Sequence, residues 1–303
     1  MKPEIEATLK SRDTEETLDI WFYRPIGYYW AVLCKNLGIV PNVVTFTSII
    51  LGISAGIMYY FNNIWLNAIG IFLLIWANSL DSADGQLARM TNQKTRLGRI
   101  LDGLAGNLWF ITIYAALSLR MMHSEGYSWY IFIFAAFTGY FHAQQAAMAD
   151  YYRNVHLFFI KGKEGSELDN SEKLKQEYIL ITWKSNFWKK LTSRFYLNYT
   201  LQQEAFTKNL QKLLVYIRIN YADGLPEDFV QSFRKENKPL MKYTNMLTFN
   251  TRAIALFISL FLNMVWLYWV FELTVLNIMV FYMIIRQEQI SKRHLAILKG
   301  YKA

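Results

Sequence analysis

Asp81, Asp84 and Asp102 stand at the edges of long apolar runs, within residues 81–107, DSADGQLARMTNQKTRLGRILDGLAGN. Ionisable residues in such places are costly and therefore point to function. Asp81 and Asp84 are three apart, so on a helix both carboxylates share one face and can grip one cation. Gly85 and Ala88 continue that face with almost no side chain, leaving room for a flat or bulky ligand against the backbone. Arg89 follows about one turn later, within reach of a phosphate, and Gly98 and Asp102 repeat a four-residue spacing on the next helix. Hard cations such as Mg²⁺ take carboxylate oxygens together with substrate phosphate oxygens, and two metals can clamp the attacking and leaving oxygens of a phosphoryl displacement. A lone aspartate here would read as a helix-end acid meeting water. Three acids with two small residues and an arginine read as a divalent-metal site, Mg²⁺ or Mn²⁺, that holds a diphosphate.

Other metal chemistries fit less well. An EF-hand loop needs a Glu at its twelfth position, which counted from Asp81 is Asn92. No Cys–His cluster of the kind zinc prefers exists, and Cys34 is the only cysteine. A cation transporter would spread its acids along a path, whereas these sit at one membrane edge.

The stretch resembles the signature of the CDP-alcohol phosphotransferase family, D-x-x-D-G-x-x-A-R, eight residues, G-x-x-x-D-x-x-x-D. Asp81, Asp84, Gly85, Ala88, Arg89, Gly98 and Asp102 fall in register, with the spacer 90–97 of the family length. The final acid departs: Gly106 stands there, followed by Asn107. Motif and helix layout together cover most of the chain, apart from about residues 162–243. The resemblance implies transfer of a phospho-alcohol group from a CDP-alcohol to an acceptor hydroxyl with release of CMP. Asp81, Asp84 and Asp102 would be metal ligands, and Gly85 and Ala88 would admit the nucleotide with Arg89 and Gly98 nearby. The missing acid is the family's usual candidate base, which leaves two substitutes. His142 titrates near neutrality when unperturbed, although its plain reading is a hydrogen-bonded packing residue. Asn107 lies roughly 140° from Asp102 on a regular helix, and a π-bulge near Gly103 and Gly106 would swing it back. Its amide oxygen could then take metal, though it cannot act as a carboxylate base. The rival reading is a catalytically impaired member serving as a binding or partner subunit.

The elements that must position these residues follow from composition. The chain is 53% hydrophobic and 17% aromatic, and several runs approach the roughly 20 apolar residues that cross a bilayer. The expected fold is an all-α integral membrane bundle of about six spans, with an amphipathic N-terminal segment and a helical cytosolic insertion. Residues 14–35 mix aromatics with charges around Pro25 and Gly27 and are expected to lie on the membrane face rather than cross it. Spans are expected at 43–61, 64–80, 97–122, 129–143, 253–270 and 273–285. Gly52, Ser54, Ala55 and Gly56 suit close helix packing in the first. Residues 161–244 turn polar and Lys-, Gln- and Glu-rich, with apolar Leu201, Phe206, Leu210, Leu213, Leu214 and Ile217 at helical spacing. The division is thus 1–160, 161–244 and 245–303.

The first 19 residues are polar and acid-rich, so no signal peptide is expected there. Arg89, Lys94, Arg96, Arg99, Arg153, Lys161, Lys163 and Arg286 fall on one side of this topology, which by the positive-inside rule is cytosolic. Both termini and the aspartates share that side; Arg120 is the exception. The formal charge of +9 suits anionic headgroups, and no nucleic-acid motif accompanies it. Expected partners are a CDP-activated alcohol or lipid, an acceptor alcohol and membrane lipids, with a second copy of the chain as a further candidate.

Overall fold

A computed structural model describes residues 3–6, 11–93, 96–166, 168–183, 186–222 and 224–300; the side chains of residues 3, 4, 96, 97, 99, 100, 102 and 164 are outside that description, as is Lys94. All regular structure among the described residues is helical. In chain order the helices are α1 (Pro3–Glu6), α2 (Arg24–Asn36), α3 (Pro41–Met58), α4 (Ile64–Met90), α5 (Arg96–Ser124), α6 (Ile131–Lys161) and α7 (Ser171–Leu180). There follow α8 (Phe187–Ala205), α9 (Lys208–Asn220), α10 (Glu227–Asn237), α11 (Met241–Met246), α12 (Phe249–Phe261), α13 (Trp266–Phe271) and α14 (Asn277–Gly300). Four helical runs are long and apolar enough to cross a membrane: Pro41–Met58, Ile64–Met90, Gly103–Ser124 and Trp266–Gly300. The fold is a helical membrane bundle.

The chain divides into two units, residues 1–143 with 249–275, and residues 144–248 with 276–303. In the first, Pro41 opens α3 after an extended Val40, where a proline's missing N–H costs nothing. Asn63 caps α4, its side-chain oxygen accepting from the backbone N–H of Trp65 at 2.9 Å and Leu66 at 3.2 Å. At 27 residues, α4 is about 40 Å long, so its apolar part can cross a bilayer while the aspartate motif occupies its last turns. Trp109 of α5 lies flat against Gly52 of α3, where an added Cβ would sit only 2.1 Å from its ring. This is the close approach that small residues permit, and it seats an aromatic core of Trp109, Phe110, Tyr114, Tyr268 and Trp269.

Three expectations change. Pro25 and Gly27 would be expected to break the helical run within residues 14–35, yet a π-turn, Asp19–Tyr23, runs directly into α2 with Pro25 in its first turn, where the absent donor is tolerated. The expected span 253–270 is interrupted. Asn263 takes φ 54°, and the N–H groups of Met264 and Asn263 donate to the carbonyls of Ser259 (3.0 Å) and Leu260 (3.1 Å). That is a Schellman ending with asparagine in the left-handed position. It leaves α12 only 13 residues, about 20 Å, short of the bilayer core. The outer-end exception, Arg120, is not a loop charge. It is fully buried, and its guanidinium donates to Asn62 at 3.0 Å and Asn263 at 2.5 Å, so it ties two turns together.

In the second unit Leu210, Leu213, Leu214 and Ile217 of α9 are buried, as their spacing predicts. Leu201 and Phe206 are exposed, because α8 ends at Ala205 and the helical phase is lost before α9. Glu288 of α14 caps α9, its carboxylate accepting from the N–H of Asn209 (2.7 Å) and Leu210 (3.1 Å). Within the turn expected at 222–226, Gly224 takes φ 138°, and Asp223 lies outside the described residues.

Candidate active site

The C-terminal turns of α4 have a buried side and a half-exposed side. Ala83, Asp84, Gln86 and Leu87 are buried, whereas Asp81, Gly85, Ala88 and Arg89 are half-buried. The phase follows from 3.6 residues per turn: 81, 85 and 88 fall on one strip. Arg89 folds back along this strip, with a guanidinium nitrogen 3.3 Å from where a Cβ on Gly85 would stand. A side chain at position 85 would therefore press against the arginine, whose flexible end would have to give slightly. Asp84 flanks the strip and turns toward α3, where the Thr45 hydroxyl donates to its carboxylate. That hydroxyl lies 3.2 Å from the Pro41 carbonyl oxygen at the start of α3, so the proline-led helix start fixes the orientation of Asp84.

The buried side of the motif helix is covered by the N-terminal segment. Gly27 of α2 approaches Ser82 and Gln86 so closely that a Cβ would meet both at 2.9 Å. The Gln86 amide donates to the Arg24 carbonyl at 3.1 Å, and Arg24 itself holds Glu15 through two hydrogen bonds of 3.0 Å. From the sequence Thr45 reads as a residue that could bond free backbone groups at the start of α3, and its hydroxyl does meet the Pro41 carbonyl; its bond to Asp84 is what the sequence does not show. Gln86 has no chemistry that marks it, and only the helix phase of position 86 shows that it points away from the strip.

Across the loop, α5 is α-helical from Arg96 to Ser124. Gly98 is half-buried, and the Asp102 side chain lies outside the described residues. The expected π-bulge is absent: the helix is regular through Gly103–Asn107. Asn107 is exposed and its amide donates 2.8 Å to the Gly103 carbonyl oxygen, which keeps the ordinary register and leaves it roughly 140° from position 102. The reason is local. Asn107 satisfies its amide on the i−4 carbonyl without distorting the turn, so nothing drives a bulge. A Cβ on Gly106 would meet nothing within 4 Å.

His142 sits elsewhere in the first unit. Its Nδ1 lies 3.0 Å from the Tyr114 hydroxyl, 3.1 Å from Glu272 and 2.8 Å from Arg252. Arg252 and Glu272 pair at 2.5 Å with both side chains almost fully buried. Tyr268 donates to Glu272 at 2.9 Å, and the Tyr114 hydroxyl donates to the other carboxylate oxygen of Glu272. The His142 ring packs on Phe110 at 4.2 Å, eight residues beyond Asp102 and hence about 12 Å along α5. The structure thus brings Asp81, Gly85, Ala88 and Arg89 onto one strip with Asp84 beside it, and places His142 two turns of α5 away in an ionic network. Arg252 and Glu272 were not singled out from the sequence, although charges bordering apolar runs are the signal that marks them.

Among the described residues no three His, Cys, Asp or Glu side chains cluster as metal ligands, and Asp102 is not among those described. The donors present, Asp81 and Asp84 at i and i+3, are all oxygen and half-open on one side. That set fits a hard divalent cation completed by phosphate and water oxygens.

Residues 38–157 match the family model for CDP-alcohol phosphatidyltransferase. A 74-residue stretch, 24% of this chain, is 32% identical to a protein named "Putative cardiolipin synthase" in Mycobacterium bovis, of which it covers 34%. A protein of the same name in Mycobacterium tuberculosis matches with the same identity and coverage, 32% over 34% of its length. The chain thus spans about a third of the length of the curated relatives it matches. No solved structure matches it.

Proposed function

With a CDP-alcohol phosphatidyltransferase domain over residues 38–157 as premise, we propose that this protein transfers a phospho-alcohol group of membrane lipid headgroup synthesis. The donor is a CDP-alcohol and the acceptor a hydroxyl. The acceptor hydroxyl gives its proton to a general base while its oxygen bonds to the phosphorus farther from cytidine, the bridging phosphorus–oxygen bond breaks, and CMP leaves with the bridging oxygen. Asp81, Asp84 and Asp102 would hold Mg²⁺ or Mn²⁺, which when bound neutralises the diphosphate. The strip of Gly85 and Ala88 admits the nucleotide against the backbone, Arg89 lies over the strip to meet a phosphate, and Gly98 would lie nearby, as the resemblance implies. Thr45 holds Asp84 in orientation. Phosphoryl transfer asks a protein chiefly for positioning and charge neutralisation, and the observation that carries this reading is the half-exposed carboxylate–glycine–arginine strip on α4.

The deciding experiment offers the purified protein both donor types, CDP-diacylglycerol with a small polar alcohol and a CDP-linked headgroup with diacylglycerol, and measures CMP release with Mg²⁺. Turnover with one pair is expected. None with either would favour the second reading, a binding or partner subunit, for which the observation is Gly106 in place of the fourth acid beside an amide turned into its own helix.

The regular register of α5 also ranks the candidate repairs. Position 106 shares the face of position 102 and has open space, so Gly106→Asp is expected to raise turnover more than Asn107→Asp. A restored general base is worth about 10²–10⁴-fold. Asn107 could take metal through its amide oxygen only if the helix distorts, and His142 keeps the role of the alternative base. If Asn107→Asp rescues turnover and Gly106→Asp does not, the helix must distort on substrate binding. If neither changes turnover and His142→Ala abolishes it without loss of folded protein, the base is His142.

In this reading the protein is multi-pass, with the motif and both termini cytosolic. A protease-sensitive tag inserted between Asn62 and Asn63 is expected to be cut only from the non-cytosolic side; cutting from the cytosol would overturn the topology. Besides the two substrates and membrane lipids, self-association into a homodimer is expected, tested by the mass of the detergent-solubilised particle.

A further inference from the structure

The second unit carries a cleft of about 960 Å³ that is separate in sequence from the aspartate motif. Lys235, Lys238 and Lys242 line it from α10, a 3-10 turn and α11. Their spacing of three and four residues keeps them on one side of that nearly continuous helical path. Arg286 and Arg293, two turns apart on α14, line it as well. The lining thus holds five cations against a single carboxylate, Glu236, which pairs with Arg293 at 2.6 Å. All five cations are solvent-exposed. Between them lie apolar side chains, Pro239, Leu240 and Ile290.

The far end of the cleft is aromatic. Tyr282 lines it together with Tyr243, their ring centroids 5.1 Å apart. On α14 the residues on either side of this point, Ile278, Phe281 and Ile285, all face outward, as the lipid-facing side of a span does. Arg286 then ends the apolar run. Tyr282 and Arg286 therefore mark the level at which α14 leaves the hydrocarbon, where tyrosine and basic residues gather. A soluble polyanion would use only the cations. Apolar side chains between the cations, and an end reaching the outward-facing side of a span, match a ligand with a phosphate at one end and hydrocarbon at the other.

We propose that this cleft binds the phosphate-bearing headgroup of an anionic phospholipid drawn from the adjoining leaflet, with the arginines offering paired donors to its phosphate and the lysines adding charge. The assignment is independent of the transfer chemistry above, since none of these residues belongs to the aspartate motif.

The test uses the full chain in detergent and reads lipid binding, not activity. Phosphatidylglycerol is titrated against phosphatidylcholine, with inorganic phosphate at millimolar concentration as a competitor. Preferential binding of phosphatidylglycerol, undisturbed by phosphate, is expected. Each basic residue near a membrane surface is worth about fivefold in affinity, so Lys238→Gln with Lys242→Gln and Arg286→Gln together should weaken binding roughly a hundredfold. Lys242→Gln and Arg286→Gln singly, each at an exposed position, should weaken it about fivefold. Equal binding of both lipids, unchanged binding by the triple and single variants, or displacement by inorganic phosphate would overturn the proposal, the last by showing a site for soluble anions.

Discussion

Asp81→Ala is expected to abolish metal-dependent binding of CDP and to lower CMP release by at least about 10²–10³-fold, the scale on which a single preorganised electrostatic contact acts. The fold should survive, because Asp81 is half-buried on the open strip of α4 rather than inside the packed core. Asp84 is a different case. It is buried and accepts from Thr45, so Asp84→Ala takes from a buried hydroxyl one of its two partners, leaving the Pro41 carbonyl, as well as removing a charge, and a loss of activity there would be ambiguous. Thr45→Val separates the two effects: the carboxylate stays but its orienting donor goes, and metal affinity should fall about 10–100-fold. Calorimetric titration of CDP with and without Mg²⁺, paired with thermal unfolding, distinguishes these outcomes. Unchanged CDP binding by folded Asp81→Ala would sink the assignment of the strip as the diphosphate site.

The second large effect concerns stability. Glu272 and Arg252 are buried together with His142, Tyr114 and Tyr268, and Glu272 opens a π-turn, Glu272–Leu276, between α13 and α14. Removing one member of a buried pair strands the other, at a cost of about 3–5 kcal/mol. Glu272→Leu and Arg252→Leu should therefore each lower the melting temperature in detergent by on the order of 10 °C. The double variant Arg252→Leu with Glu272→Leu strands no charge and should recover much of that loss. Additive losses would mean that the two side chains act separately and that the pair does not pin the first unit. The same measurement bears on His142. If its role is to complete this network, His142→Ala should lower melting and turnover together; if it acts as base, turnover should fall with melting nearly unchanged.

What the sequence determined by itself is local. The aspartate motif is read from spacing alone because helix phase is a property of consecutive residues. Asp81, Gly85 and Ala88 share a strip whatever surrounds them. The apolar runs likewise announce a membrane bundle, since a bilayer accepts few other ways of satisfying the backbone. The regular helix at Gly103–Asn107 was also the default, and the expected bulge failed because Asn107 found its partner within the same turn. Only the tertiary structure decided which distant groups meet. Thr45 reaches Asp84 across 39 positions, Arg252 reaches His142 across 110, and Arg120 reaches Asn263 across 143. The early end of α12 at Asn263 belongs with these, because an asparagine inside an apolar run has no strong preference between continuing a helix and capping it. Burial makes the choice by charging a full desolvation penalty to every polar group left without a partner, and that penalty depends on which helices pack together, which no stretch of consecutive residues records.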